Sequence, residues 1–351
     1  GMGEYKTLKR IQLGKTGLWV SRVGIGGIPL TRPSEKDAIR VVHRALELGI
    51  NFIDTAHAYS SSQARIGKAL ASSDVPREKL VLCTRTGKPD KETAEKNIEE
   101  CLEQLQTDYI DIWQLHNVST WETYEAMMGP GGAFEAAQDA LKSEKVRHLG
   151  ITGHNVDIML EAVKTGMFEV IQFPLNFISN EALDELLPYT SQHGIGFIAM
   201  KPFAGGRVRN ANLAIKYLLQ FGDVVPDPGI ETVEELEEIV DIVNGDDWDL
   251  SEAEDREIHR IREELGKYFC RQCQYCMPCP QGVNIWMLMM LKTIHRLYPF
   301  ENFKNRMESI VDSGRQCTQC GACEPKCPYK LPIQDMIQEH MAFFESVTKN
   351  A

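Results

Sequence analysis

Eight short apolar runs, each followed by a stretch of helical periodicity, fill the first 265 or so residues and restrict the fold more than any other feature. The runs are VGIGG (23–27), NFID (51–54), LVLCT (80–84), IDIWQL (110–115), HLGIT (148–152), VIQF (170–173), GFIAM (196–200) and DVVP (223–226). Between the first two, SEKDAIRVVHRALELG places Ala38, Val41, Val42, Ala45 and Leu46 on one face. Ser34 can cap its N-terminus and Gly49 can end it. In ETAEKNIEECLEQLQ, Ala94, Ile98, Cys101, Leu102 and Leu105 share a stripe.

Eight strand–helix units are what a closed (β/α)8 TIM barrel requires. An open doubly wound sheet is the alternative. It lacks its phosphate signature, because GIGGIP puts Pro29 where the third glycine of G-x-G-x-x-G belongs. The barrel is therefore favoured. Ahead of it, YKTLKRIQLGKTGLWVSRV reads as a hairpin turning near Lys15-Thr16-Gly17 and plugging the N-terminal mouth. A further amphipathic helix, SEAEDREIHRIREEL, follows, and the texture changes near Gly266. This sets domains of 1–265, the barrel, and 266–351, a small α-helical domain dense in Cys, Met and aromatic residues.

The formal net charge of −12 argues against a nucleic-acid partner, since phosphate binding draws on excess Lys and Arg. With 43% hydrophobic and 25% charged residues the chain is ordinary for a globular protein. No apolar run approaches the roughly 20 residues of a membrane span. GMGEYKTLKRIQLG lacks the apolar core of a signal peptide, so a cytoplasmic location is expected. Ten cysteines there favour metal or redox use over disulfides.

Eight of the ten lie in two runs. CTQCGACEPKCP is C-x2-C-x2-C-x3-C-P, the ligand pattern of two-cluster bacterial ferredoxins, in which the fourth Cys serves the other cluster. CRQCQYCMPCP is one residue shorter before its last Cys. By that logic Cys270, Cys273, Cys276 and Cys327 hold one 4Fe-4S cluster, and Cys317, Cys320, Cys323 and Cys279 the other. Two zinc sites are the alternative, but zinc motifs set two C-x-x-C pairs well apart rather than four cysteines in a run. Cys83 and Cys101 sit on apolar faces and read as inert core residues.

Polar residues at the C-terminal ends of barrel strands are what equip a barrel for chemistry. Around the ring these are Asp54 and Tyr59, Arg85, His116, Thr152 with His154 and Asn155, Gln172, and Lys201. Each alone has a structural explanation, as packing, a satisfied histidine or a helix cap. Their convergence on one rim points to a site.

NFIDTAHAY, LVLCTRTG, TDYIDIWQLHN, VRHLGITGHN and GFIAMKPFAGG resemble segments of the aldo-keto reductases, in the branch that carries a C-terminal ferredoxin-like domain. The resemblance spans nearly the whole chain. It implies reduction of a small aldehyde or ketone with NADPH or NADH, with catalytic residues at Asp54, Tyr59, Arg85 and His116. Tyr59 would protonate the developing alkoxide, His116 would steer the carbonyl oxygen, and Asp54 would hold a cation that eases phenolate formation. The resemblance also implies nicotinamide contacts from Thr152, Asn155 and Gln172, and an approach to the pyrophosphate by the MKPFAGG loop through its glycines, with Lys201, Phe203 and Gly205 of that loop at the cofactor. It further places Gly27, His154 and Glu231 at the cofactor.

Two positions depart from the family. It has Lys where this chain has Arg85, which keeps the charge but changes the geometry. Lys88, three residues on, is a substitute cation. After the eighth strand, where Arg or Lys commonly meets the 2′-phosphate of NADP, stands Glu231, which suits a ribose hydroxyl instead. Hydride moves two electrons and a cluster accepts one, so three alternatives stand: structural clusters, clusters that serve an external ferredoxin or flavoprotein, or clusters that meet a flavin in the barrel mouth, although no flavin motif is present. The alternative function is a catalytically altered barrel serving as a redox sensor or electron-relay subunit.

Overall fold

The computed structural model describes residues 8–349. Two compact units divide between Ile258 and His259, within the helix Glu252–Gly266. Among the described residues no helix is long and apolar enough to cross a membrane.

The first unit opens with a hairpin, β1 (Arg10–Gln12) and β2 (Trp19–Ser21), paired antiparallel with Ile11 opposite Val20. Residues 5–7 of the expected hairpin segment lie outside the described residues. Eight parallel strands follow: β3 (Ile25–Gly26), β4 (Phe52–Asp54), β5 (Val81–Thr86), β6 (Ile110–Leu115), β7 (Val146–Thr152), β8 (Val170–Pro174), β9 (Gly196–Met200) and β10 (Val224–Pro226). The ring closes where Gly24 N donates to Pro226 O at 3.0 Å and Gly26 N to Pro228 O at 2.8 Å. A closed (β/α)8 barrel results, as expected.

All eight sequence-derived strands lie within two residues of their observed ends at both termini. β5 runs on to Thr86 and so includes Arg85 within the strand. Ser34 is the N-cap expected of it, and Asp90 is a second cap that the structure adds. Ser34 accepts from Asp37 N at the start of Glu35–Glu47, and Asp90 accepts from Thr93 N at the start of Lys91–Leu105.

The barrel interior is layered by the two-residue period of its strands. Phe52, Val81, Ile112, Val170, Ile198 and Val225 form an apolar layer with Leu13 and Val20 of the hairpin, which closes the N-terminal mouth. Two residues further along the same inward faces, Phe52 gives way to Asp54, Cys83 to Arg85, Ile112 to Gln114, Val170 to Gln172 and Val225 to Asp227. The upper layer is therefore polar and almost fully buried.

The second unit is helical, with Ile285–Leu288, Leu291–Leu297, Phe300–Gly314 and Ile333–Thr348. Leu288, Leu291, Phe303, Met307, Val311 and Ile337 are buried. The apolar stretch from Val283 to Ile294 carries two short helices rather than one long one. The cysteines lie mostly in irregular chain: 267–284 contains no helix or strand, and Cys317–Cys327 contains only the 3-10 turn Glu324–Lys326.

Candidate functional site

Arg85 lies at the centre of the upper layer and is 4% exposed. Its Nη2 donates to Asp54 Oδ2 at 2.7 Å and to the Tyr59 hydroxyl at 3.2 Å, and its Nη1 donates to Gln172 Oε1 at 2.7 Å. A planar guanidinium serves three partners at once, which a lysine ammonium of the same charge would do with different geometry. Lys88 is exposed, so Arg85 is the cation set against Asp54 and Tyr59. The His116 ring stands edge-on to the Tyr59 ring, with centroids 5.9 Å apart.

Gln172 is closely held. Its Nε2 donates to Asp54 Oδ2 at 3.1 Å and to Asp227 Oδ2 at 3.0 Å, while its Oε1 also accepts from Gln114 Nε2 at 3.2 Å. Both amide hydrogens and both lone pairs are thereby engaged. Asp227 and Gln114 escaped the sequence reading. The signal was there: each lies two residues beyond an apolar inward position, Val225 and Ile112, where the alternation leads to the rim.

The electrostatics follow from these contacts. Burial alone would raise the Asp54 carboxyl, but Arg85 and the hydrogen bonds around it hold it below the usual carboxylate range. Burial and the Asp54 charge push Asp227 well above that range. Burial also raises the Tyr59 phenol, and the opposing pull of Arg85 does not overcome it. Tyr59 thus keeps its proton at neutral pH. The Arg85 guanidinium stays charged, since Asp54 and Tyr59 outweigh its own desolvation.

On the far side of the rim, Thr152 Oγ1 accepts from Asn117 N at 2.8 Å. His154 Nδ1 lies 2.9 Å from Asn117 Oδ1, so Nδ1 carries the hydrogen and Nε2 is an acceptor, buried and without a partner. Burial, with Lys201, His116 and Arg85 nearby, holds this imidazole neutral, well below the ordinary histidine value. Asn155 caps the helix Val156–Lys164, its Oδ1 accepting from Ile158 N at 3.1 Å. Lys201, Ala204 and Gly205 all take left-handed backbone in the loop after β9, and Phe203 packs partly into the core. Gly27 N donates to Asp54 O at 2.8 Å, and a Cβ at Gly27 would stand 2.8 Å from Ser62 Oγ, so tight packing accounts for this glycine. Glu231 pairs with Arg32 at 3.7 Å.

In the second unit, Cys270, Cys273, Cys276 and Cys327 line one cavity together with Ile285, Trp286 and Tyr329. Cys323 has Cys279 and Cys317 as electrostatic neighbours. The two runs fold alike. Gln272 N donates to Cys270 Sγ at 3.3 Å, and Gln319 N donates to Cys317 Sγ at 3.4 Å. The next left-handed residues, Gln274 and Gly321, also occupy equivalent places. Among the described residues no three His, Cys, Asp or Glu side chains gather as a single metal ion would need. Thiols ringing a cavity suit a cluster better than one zinc ion. Burial and mutual proximity raise the free thiols of Cys273 to about 11 and Cys276 to about 12, so ligation must release their protons.

A closed barrel with a buried Asp–Arg–Tyr constellation at its C-terminal rim, followed by a unit with two like-folded cysteine runs, defines the class. The chain belongs to the aldo/keto reductase family, whose profile matches residues 22–245, and a 4Fe-4S dicluster domain matches residues 269–332. L-Galactose dehydrogenase from Arabidopsis thaliana is 35% identical over 210 residues, or 55% of this chain. That match spans 65% of the dehydrogenase, a little under two thirds of its length. 6-Dehydroglucose reductase from Novosphingobium aromaticivorans is 29% identical over 227 residues, 58% of this chain and 71% of the reductase. The fold is shared with an aldo-keto reductase from Bacillus halodurans in its holo form, at a TM-score of 0.61 and 24% identity, over 72% of this chain and 96% of that one.

Proposed function

We propose that the chain is an NAD(P)H-dependent oxidoreductase that reduces an aldehyde or ketone at the barrel rim. In this reading electron transfer through two four-iron clusters in residues 266–351 accompanies or is coupled to that reduction. The observation that carries it is the Tyr59 hydroxyl held 3.2 Å from an Arg85 that is itself anchored 2.7 Å from Asp54. A bound nicotinamide would supply the hydride. Tyr59 holds the proton that the developing alkoxide needs, and Arg85 stabilises the phenolate left behind. His116, edge-on to Tyr59, orients the carbonyl oxygen. The relatives' names, a dehydrogenase and a reductase, agree with this chemistry.

For the cofactor, the unpartnered His154 Nε2 offers an acceptor, and Thr152, Asn155, Lys201, Phe203, Gly205 and Gly27 complete the rim. Glu231 takes up Arg32, the cation beside it, so NADH is accepted at least as well as NADPH. In the second unit Cys270, Cys273, Cys276 and Cys327 hold one cluster, and Cys279, Cys317, Cys320 and Cys323 the other. Clusters pass electrons singly, so a flavin or an external flavoprotein or ferredoxin joins them to a two-electron carbonyl reaction.

The second reading, an electron-relay or redox-sensing subunit, gains from Gln172, whose amide is fully engaged inside the chain. Anaerobically purified protein titrated with NADH, NADPH and a panel of simple aldehydes separates the two. Aldehyde-dependent oxidation of NADH that Tyr59→Phe suppresses supports the reductase. Bound nucleotide with no turnover on any carbonyl makes the relay reading the better one.

A further inference from the structure

Two carboxyl groups and one guanidinium share the buried upper layer of the barrel. Asp54 on β4 and Asp227 just beyond β10 are 1% and 5% exposed. Asp54 Oδ2 accepts from Arg85 and from Gln172, and Asp227 Oδ2 accepts from Gln172 alone. Asp54 Oδ1 and Asp227 Oδ1 are both buried and, among the described residues, have no donor. Two acceptors in that position are satisfied together only if one carries a hydrogen. One guanidinium, Arg85, cannot balance two buried carboxylates.

We propose that Asp227 is a positioning residue that stays un-ionised at neutral pH and donates a hydrogen bond to Asp54, keeping its proton, so that Arg85 faces one negative charge and remains on Tyr59. Asp54 is the ionised partner because it alone has the guanidinium. The burial and neighbouring charge that push Asp227 upward agree with this assignment. The titratable groups facing the pair are Arg85 and Cys83 on β5 and Tyr59 beyond β4; the Cys83 thiol is itself held neutral, well above its ordinary value. Were Asp227 also ionised, Arg85 would be drawn toward a second carboxylate and Tyr59 would lose its contact. Gln172, bonded to both acids, fixes the spacing between them.

The assignment deepens the proposed reductase reading and rests on it only for the consequence at Tyr59; the proton itself is tested without turnover. Infrared difference spectra of the full-length protein, with carbon-13 aspartate to identify the band, should show an un-ionised carboxylic acid at neutral pH. That band should vanish in Asp227→Asn and shift in frequency in Asp227→Glu, while Asp54→Glu leaves its frequency nearly unchanged. Absence of the band in wild type overturns the proposal, as does a band that persists in Asp227→Asn or that shifts in Asp54→Glu and not in Asp227→Glu. If Asp227→Asn does not fold, a pH titration of the wild-type band decides: a band already lost at the ordinary carboxylate range, about pH 4, overturns the idea. On turnover, Asp227→Leu should lower kcat by roughly 100-fold with KM little changed, because Arg85 shifts, and Asp227→Asn should recover most of that loss. Absent carbonyl turnover with the infrared band in place would count against the reductase reading and leave the proton on Asp227.

Discussion

The barrel rim and the cysteine loops reach order by different routes. At the rim, strand register delivers Asp54, Arg85, Gln114, Gln172 and Asp227 to one level, and those groups then bond to one another. The cysteines instead stand on irregular chain, and the helices of the second unit form a small core. A rim built from the chain's own groups is preorganised before any ligand arrives. Loops whose natural partners are iron and sulfide draw part of their folding energy from ligation. The lesson is that a single substitution should be felt locally in the first unit and collectively in the second.

The largest expected effect tests the collective half. Cys317→Ser should halve the metal content, from about eight iron and eight sulfide per chain to about four of each, and should loosen residues beyond His259 toward proteolysis. The barrel should keep its far-ultraviolet signature. Stoichiometric zinc in colourless, anaerobically prepared protein would break the comparison, because the loops would then be structural zinc knuckles.

Local effects come next. Tyr59→Phe should reduce carbonyl turnover by roughly 10²–10⁴-fold, the usual worth of a general acid, while nucleotide binding changes little. Arg85→Met should act similarly, and Arg85→Lys should retain or raise activity on simple aldehydes, since lysine keeps the charge. Steady-state kinetics with fluorescence titration of NADH checks all three. Should Arg85→Met also abolish nucleotide binding, the rim is less modular than its hydrogen bonds imply.

Smaller still is the effect of Glu231→Arg, which should move cofactor preference toward NADPH by about tenfold, or about 1.4 kcal/mol. A wild type that already prefers NADPH by that factor shows that the Glu231–Arg32 pair does not set the choice. The smallest effect is on stability. Asp54 is depressed in the folded state, so its contribution is present above about pH 4 and is lost as pH falls through the folded value. Asp227 is raised, so its contribution has the opposite sign, complete below about pH 4 and lost as pH climbs toward the folded value. Asp227→Asn should therefore flatten the decline of melting temperature on the alkaline side of pH 4.

Much of this was legible without coordinates. Strand positions followed from apolar runs, because a buried parallel strand has few ways to look otherwise. Asp54, Tyr59, Arg85 and His116 were legible because they sit at strand ends beside segments shared with a known family. Asp227 and Gln114 were missed for different reasons. Asp227 follows Pro226 and resembles a turn residue, and Gln114 sits inside an apolar strand where a lone amide reads as packing. Their meaning depends on which residues lie across the barrel, and a linear chain does not display that. The engagement of Gln172 and of Glu231 was hidden likewise, since Asp227 and Arg32 are each far from their partners in sequence.

The seam that closes the ring also sets the height of the acid on it. A Cβ at Gly26 would stand 3.1 Å from the Pro228 carbonyl oxygen and 3.2 Å from that of Asp227. A methyl group there would oblige the Asp227–Pro228 backbone to give by a few tenths of an ångström. The missing side chain of Gly26 is thus a spacer for the carboxyl that Asp227 presents to Gln172.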